Sequence, residues 1–372
     1  RSQAKQTNNG SYIEEDFNLK HLEMSGSIVI ANRLNWIDWA KTIAILFVVF
    51  GHIPESNDSF WIYYIVQFHM PLFFFISGYL TKKEYFNPTT LKKYWHTLVI
   101  PYFCYNIIFY PYWVVRHVID FPNPELFDFM KPLIGTLILQ FKSPISESLN
   151  GVTWFIAALL IMKIILSLCN KYRAGMTVMN ILVLIVAVFY IFNEHYRFYT
   201  DLPFVGFTRC LPFFYIGHLC KQNKVISEKP QRKDVFICII GIAISIITYS
   251  FERTTPGLFI YGICFWIICI SAIAGILSLC KLLDSIHLTI VDNISIGTVV
   301  VMGLHWILIG VTNFTLSKLL HISNIVYPLW TAILLTILFT TIIYPVIILF
   351  REKYPFMLGK QTHNSDRKDI QR

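Results

Sequence analysis

Asn35-Trp-Ile-Asp38-Trp-Ala-Lys41-Thr-Ile-Ala-Ile-Leu-Phe-Val-Val-Phe-Gly51-His52 reads as a membrane helix, yet it carries three ionisable side chains. At about 100° per residue, the steps from Lys41 to His52 return to within about 20° of one face, and Asp38 falls about 40° from His52. All three therefore share one stripe of an otherwise apolar helix. At 1.5 Å rise per residue, Asp38 and His52 stand roughly 21 Å apart along the axis, too far for an acid–base pair. One reading makes Asp38 and Lys41 a local i,i+3 pair and His52 an ordinary interfacial histidine. The other takes ionisable groups within a span as markers of a functional interior, and three on one face favour it.

Working outward, the 372-residue chain is 55% hydrophobic and only 14% charged, against about 25% charged in soluble domains. Ten apolar runs approach or reach the length needed to cross a hydrocarbon core of about 30 Å, near 37–54, 61–81, 96–115, 152–170, 175–193, 203–221, 234–251, 257–280, 295–315 and 325–350. The segment 126–141, short and interrupted by Pro132, reads as interfacial or re-entrant. With the N-terminus inside, most of the 31 Lys and Arg residues fall in the inner segments, the positive-inside pattern of an even span count with both termini cytoplasmic. The surplus of basic residues is thereby explained without a nucleic-acid partner. The expected fold is an all-α integral membrane protein of about ten transmembrane helices. Its membrane domain covers 31–357, between flexible cytoplasmic tails at 1–30 and 358–372. The polar start does not read as a cleavable signal. The eight cysteines lie in or beside apolar runs without zinc spacing, so they read as reduced thiols, and no metal site is expected.

Other spans add polar groups. In Phe68-His69-Met70-Pro71-Leu-Phe-Phe-Phe-Ile-Ser77-Gly78-Tyr79, Pro71 removes an amide donor and kinks the helix, just after His69. A structural histidine and a functional one are equally compatible with that. Arg209, inside Thr208-Arg-Cys-Leu-Pro212, costs roughly 3 kcal/mol to insert at mid-helix, so it needs a carbonyl, carboxylate or anionic ligand as partner. His305, in Gly303-Leu-His-Trp306, is a weaker candidate, since a lone membrane histidine is usually a satisfied hydrogen-bonding group. Trp154, where the long outer loop 116–151 enters the fourth span, reads either as an interfacial anchor or as a platform for a sugar ring. Glu147, Glu194, His195 and Asp201 are outer-side polar residues without an assigned role.

Asp38-x-x-Lys41, the Lys41-to-His52 spacing, the Phe68–Tyr79 stretch, Trp154-Phe155 and the Arg209–Gly217 segment together resemble the membrane acyltransferases of type three. The nearest group is the bacterial fucose-acetylase-like one, whose members acetylate sugars of surface polysaccharides. The resemblance implies ten spans in a bacterial cytoplasmic membrane. It also implies acetyl-CoA or another acyl-CoA as a cytoplasmic donor substrate, no bound cofactor, and a polysaccharide or lipid-linked sugar as acceptor. It implies that the basic residue at Lys41 helps hold the donor and that His52 is catalytic. Relatives often carry Arg at Lys41; Lys keeps the charge but lacks the bidentate fork.

On this reading His52, with His69, takes the proton of a sugar hydroxyl. Asp38 positions Lys41, and Arg209 contacts the donor or the developing oxyanion. Two alternatives stay open. Buried Arg, His and Lys also suit a proton-coupled carrier or flippase of a lipid-linked saccharide, although no internal repeat is visible. A scaffold or receptor without chemistry would leave the first-span stripe unexplained.

Overall fold

The computed structural model describes residues 34–54, 59–121, 123–196, 202–255, 257–322 and 325–360. The N-terminal tail, residues 361–372 and Asp201 lie outside the described residues, as do the side chains of Glu194 and His195.

The described residues form helices and connecting turns, with isolated bridge residues at Ser143, Ser146 and Tyr327 but no strand. Helix α1 spans Asn35–His52, α2 Phe60–Leu80 and α3 Pro88–Asp120, with a π turn at Trp95–Val99. The short α4 spans Leu126–Leu137. Then follow α5 (Trp154–Lys171), α6 (Gly175–Tyr196), α7 (Leu202–Gln222), α8 (Arg232–Thr254) and α9 (Leu258–Leu282). Last come the short α10 (Thr289–Ile296), α11 (Thr298–Leu320) and α12 (Leu329–Lys353).

Eight of these helices are long and apolar enough to cross a membrane: α2, α3, α5, α6, α8, α9, α11 and α12. The chain is thus an all-α membrane protein. Helices α1 and α7, of 18 and 21 residues, stand where the other two spans are expected from the sequence; they carry the Asp38, Lys41, His52 and Arg209 side chains that dilute their hydropathy.

Several boundaries differ from the sequence reading. The expected ninth span, 295–315, is divided at Gly297 into α10 and α11. A β-carbon on Gly297 would meet the Ile347 side chain of α12 at 2.4 Å, so the break holds a glycine packed against α12. Helix α4 runs through Pro132 rather than stopping at it; at 12 residues it is too short to span. At the C-terminal end, residues 355–358 form a 3₁₀ turn whose Met357 carbonyl accepts from the buried Tyr105 hydroxyl at 2.9 Å. The described structure runs on to Lys360.

Helix α1 is the centre of the bundle, packed against α2, α9, α10, α11 and α12. Its start is pinned to the α9–α10 turn: Asn35 donates to the carbonyls of Asp284 and Ile286, and the Trp36 amide to the Asp284 carboxylate. Helices α6 and α8 form the rim and bury little of their length.

Hydrocarbon tails are as apolar as leucine, so packing rather than hydrophobic transfer holds membrane helices together, and small residues let backbones approach. Helices α2 and α7 show this reciprocally. A β-carbon on Gly78 would lie 1.8 Å from the Phe214 carbonyl oxygen, and one on Gly217 2.1 Å from that of Phe75. In an open helix Gly→Ala gains up to about 1 kcal/mol. Here Gly78→Ala is expected to destabilise by about 1–3 kcal/mol, because backbone cannot yield as a side chain does. A melting temperature of the detergent-purified variant equal to or above that of the unmodified protein would contradict this packing.

Candidate active site

Three imidazoles from three helices meet at one end of α1. His52 closes α1, His69 lies in α2 and His305 in α11. Their rings are close: His52 to His69 is 6.4 Å between centroids, and His52 to His305 5.1 Å. His69 and His305 are buried; His52 is half-buried.

Each ring is oriented in the same way. Nδ1 lies against the carbonyl four residues earlier: Val48 for His52 at 2.7 Å, Ile65 for His69 at 3.2 Å and Val301 for His305 at 2.9 Å. A carbonyl oxygen only accepts, so each Nδ1 carries the hydrogen and each Nε2 keeps its lone pair. The helices thus prepare three proton acceptors. His305 Nε2 stands 3.4 Å from His52 Nδ1, facing the N–H that Val48 already holds. His305, the weaker candidate by sequence, is therefore a direct neighbour of His52. Trp306 lies over the His52 ring at 5.4 Å; nothing in the sequence pattern singled it out. Among the described residues no three His, Cys, Asp or Glu side chains are placed to share a metal ion.

Arg209 of α7 finds a carbonyl partner. Pro71 has no amide hydrogen, so the Gln67 carbonyl one turn earlier loses its helical donor. Arg209 donates to that carbonyl and to Val66 O at 3.1 Å, Cys269 Sγ approaches Gln67 O at 3.4 Å, and the guanidinium covers the Phe265 ring at 4.6 Å. The positive charge sits half a turn from His69, and the structure does not bring it to Lys41.

Asp38 and Lys41 occupy the opposite end of α1, and both reach the same residue of α10. Ser295 Oγ donates to Asp38 Oδ1 at 2.5 Å, and Lys41 Nζ donates to the Ser295 carbonyl. Next to them opens a cavity of about 420 Å³ lined by Lys41, Lys82, Lys221, Asp38 and Tyr79, with Lys221 over the Tyr79 ring at 5.1 Å. Lys221 is paired with Glu228 at 2.8 Å, so three ammonium groups stand against two carboxylates, a net positive end that suits an anion.

A second cavity, of about 720 Å³, opens at the histidine end between α3, the segment 140–151, Trp154 and Trp306. Trp154 is only 7% exposed. It stacks on Phe74 at 5.9 Å and presses on Gly206, where a β-carbon would come within 2.4 Å of its ring. It is thus an interior wall of the cavity, not an anchor on the lipid surface. The loop segment is held by hydrogen bonds to Gln140. Gln140, 1% exposed, donates to Asn106 at 2.8 Å and accepts from Ser148 Oγ and the Leu149 amide, both at 2.9 Å. That network sustains two successive left-handed residues, Leu139 and Gln140, at φ 60° and 71°, a conformation that costs about 1–3 kcal/mol per non-glycine residue.

Such a bundle defines a class: a membrane protein with an imidazole cluster at one end of a helix, next to a polar cavity that Trp306 separates from His52, and a cationic cavity at the other end of the same helix. The chain carries an acyltransferase domain over residues 34–355 and belongs to the acyltransferase 3 family. It is also similar to the nodulation protein NolL of Mesorhizobium japonicum, 27% identical over 245 residues, a match that spans 60% of this chain and 58% of the relative. No solved structure matches the chain.

Proposed function

We propose that this protein is a membrane O-acyltransferase, most simply an O-acetyltransferase. It moves an acyl group from acyl-CoA, held at the Lys41 end of the bundle, to a hydroxyl of a carbohydrate admitted at the His52 end. The observation that carries this reading is α1 itself, which joins a cationic cavity at Lys41 to an imidazole cluster at His52 within an acyltransferase domain. The anionic head of the donor suits Lys41, Lys82 and Lys221, and its slender arm is of the length to follow α1 inward. His52 Nε2, left as a lone pair by the Val48 bond, takes the proton of the acceptor hydroxyl. The hydroxyl oxygen attacks the thioester carbonyl, the carbon–sulfur bond breaks, and the proton passes to the leaving thiolate. His69 is a second acceptor for that proton, and Arg209 supplies positive potential beside it where the oxyanion develops. Asp38, through Ser295, positions Lys41 and does not serve His52. The setting is a cell membrane with the Lys41 end cytoplasmic, and no nucleic acid takes part.

The direct test is thioester consumption by the purified protein: release of free thiol from acetyl-CoA that depends on added carbohydrate supports the reading, and acceptor-independent or absent release defeats it. Lys41→Gln is expected to raise KM for acyl-CoA about tenfold or more while kcat changes less, since a charge-assisted contact contributes about 1.5–3 kcal/mol. Lys41→Arg is expected to stay near the unmodified value. Steady-state kinetics that show a kcat defect at unchanged KM would place Lys41 elsewhere in the reaction.

A further inference from the structure

A third cavity, of about 270 Å³, lies between α7, α8 and α9 and shares no lining residue with the two at the ends of α1. Its wall on α9 is one helical face, since Ile270, Ile273, Ala274, Leu277, Ser278 and Lys281 recur at three- and four-residue steps. From Ile270 to Lys281 that face runs about 16 Å at 1.5 Å rise per residue. This is half of a hydrocarbon core about 30 Å thick, the depth of one leaflet. Buried Phe75 and Phe213 close the back, while Ile216, Ile237 and Ile270 are exposed, so the slot opens on the flank of the bundle. The lining is graded from one end to the other. Its charged and hydroxyl side chains, Ser227, Lys233, Asp234, Ser278 and Lys281, come from the α7–α8 connection, the first turn of α8 and the last two turns of α9. The remainder is apolar. Ser278 is 5% exposed and makes no hydrogen bond among the described residues.

We infer that this slot holds one anionic phospholipid from the leaflet at the Lys41 end, with an acyl chain along α9 and the phosphate at Lys233. Charge selects the class of lipid. Both acidic residues of the segment 221–234 are already committed, Glu228 to Lys221 at 2.8 Å and Asp234 to Lys281 at 2.7 Å. Lys224, Lys229, Arg232 and Lys233 are exposed and make no ion pair among the described residues. Four such charges where spans meet water attract anionic headgroups. Free phosphate would use these charges and leave the apolar slot empty. A neutral lipid would fill the slot and leave the charges unmatched. A lipid anion uses both. Cys220 lines this slot and its neighbour Lys221 lines the cavity beside Lys41, so the seated lipid braces the turn of α7 that borders both.

The test uses the full chain in detergent, stripped of lipid, then titrated with phosphatidylglycerol or phosphatidylcholine and weighed intact by mass spectrometry. One phosphatidylglycerol per chain is expected, bound about tenfold or more tightly than phosphatidylcholine. Lys233→Gln should weaken phosphatidylglycerol about fivefold and leave phosphatidylcholine unchanged. Ala274→Phe, whose ring fills the slot, should abolish saturable binding of both lipids. Lys233 is exposed, so its variant tests the site even where a filled slot disturbs packing. Equal affinity for the two lipids, or phosphatidylglycerol affinity unchanged in Lys233→Gln, overturns the anionic assignment. Saturable binding intact in Ala274→Phe places the lipid outside the slot and overturns its location. Displacement of phosphatidylglycerol by an equal concentration of inorganic phosphate shows a site for the headgroup alone and overturns the seated chain. No saturable binding of either lipid overturns the site.

Discussion

Purified His52→Ala protein is expected to bind acyl-CoA with unchanged affinity and to transfer its acyl group about 100- to 10,000-fold more slowly, the usual contribution of a positioned general base. The loss should be that large because nothing replaces the ring. His69 is 6.4 Å away between centroids and is held by its own Ile65 carbonyl. His305 faces His52 Nδ1 rather than the cavity. Unchanged donor affinity follows from geometry, since the Lys41 cavity lies near the other end of α1, roughly 21 Å along the axis from Asp38 to His52. Single-turnover transfer, measured beside equilibrium donor binding on monodisperse protein, separates the two effects. Transfer within a few-fold of the unmodified rate would remove His52 from the chemistry.

Lys281→Ala is expected to lower stability by about 3–5 kcal/mol, the cost of breaking a buried ion pair from one side. Lys281 of α9 donates to Asp234 Oδ1 of α8 at 2.7 Å, with side chains 5% and 3% exposed. Removing the ammonium leaves a carboxylate in an apolar setting. Asp234 has a second task, accepting from the Gln231 amide at 2.6 Å to cap the start of α8, so it has little freedom to swing towards water. Breaking the pair from both sides with Lys281→Met and Asp234→Asn should cost less than Lys281→Ala alone, because asparagine can keep the cap without a stranded charge. Unfolding in mixed micelles reads both variants; a loss below about 1 kcal/mol for Lys281→Ala would show that the pair contributes no more than a surface one.

Much of this organisation was legible in the chain. The apolar runs announced long helices, and the spacing of Asp38, Lys41 and His52 placed them on one face of α1 at its two ends. Buried charge demands a partner, so Arg209 was bound to find one, and the Gln67 carbonyl freed by Pro71 supplied it. What did not show was whatever depends on helices distant in sequence. His305 looked isolated because its partner lies on α1, 253 positions away. Ser295 carries no signal as a residue type, yet it links Asp38 to Lys41. The split at Gly297 falls where Ile347 of α12, 50 positions on, packs against the glycine, a neighbour that the local pattern does not reveal. The cavity wall on α3 was available as a stripe from Phe109 to Asp120. The apolar run ends near 115, whereas the helix continues through its charged last turn to Asp120, so hydropathy alone hides the end of the stripe.

The central claim is that one helix joins a donor site at one end to an acceptor site at the other. Proteoliposomes of known orientation test it most directly, with acetyl-CoA sealed on one side of the membrane and a carbohydrate acceptor on the other. The account predicts acetylated carbohydrate only when acetyl-CoA faces the Lys41 end and the acceptor faces the His52 end, with none when the two are exchanged. Product formed equally in both arrangements, or only with donor and acceptor on the same side, would contradict it.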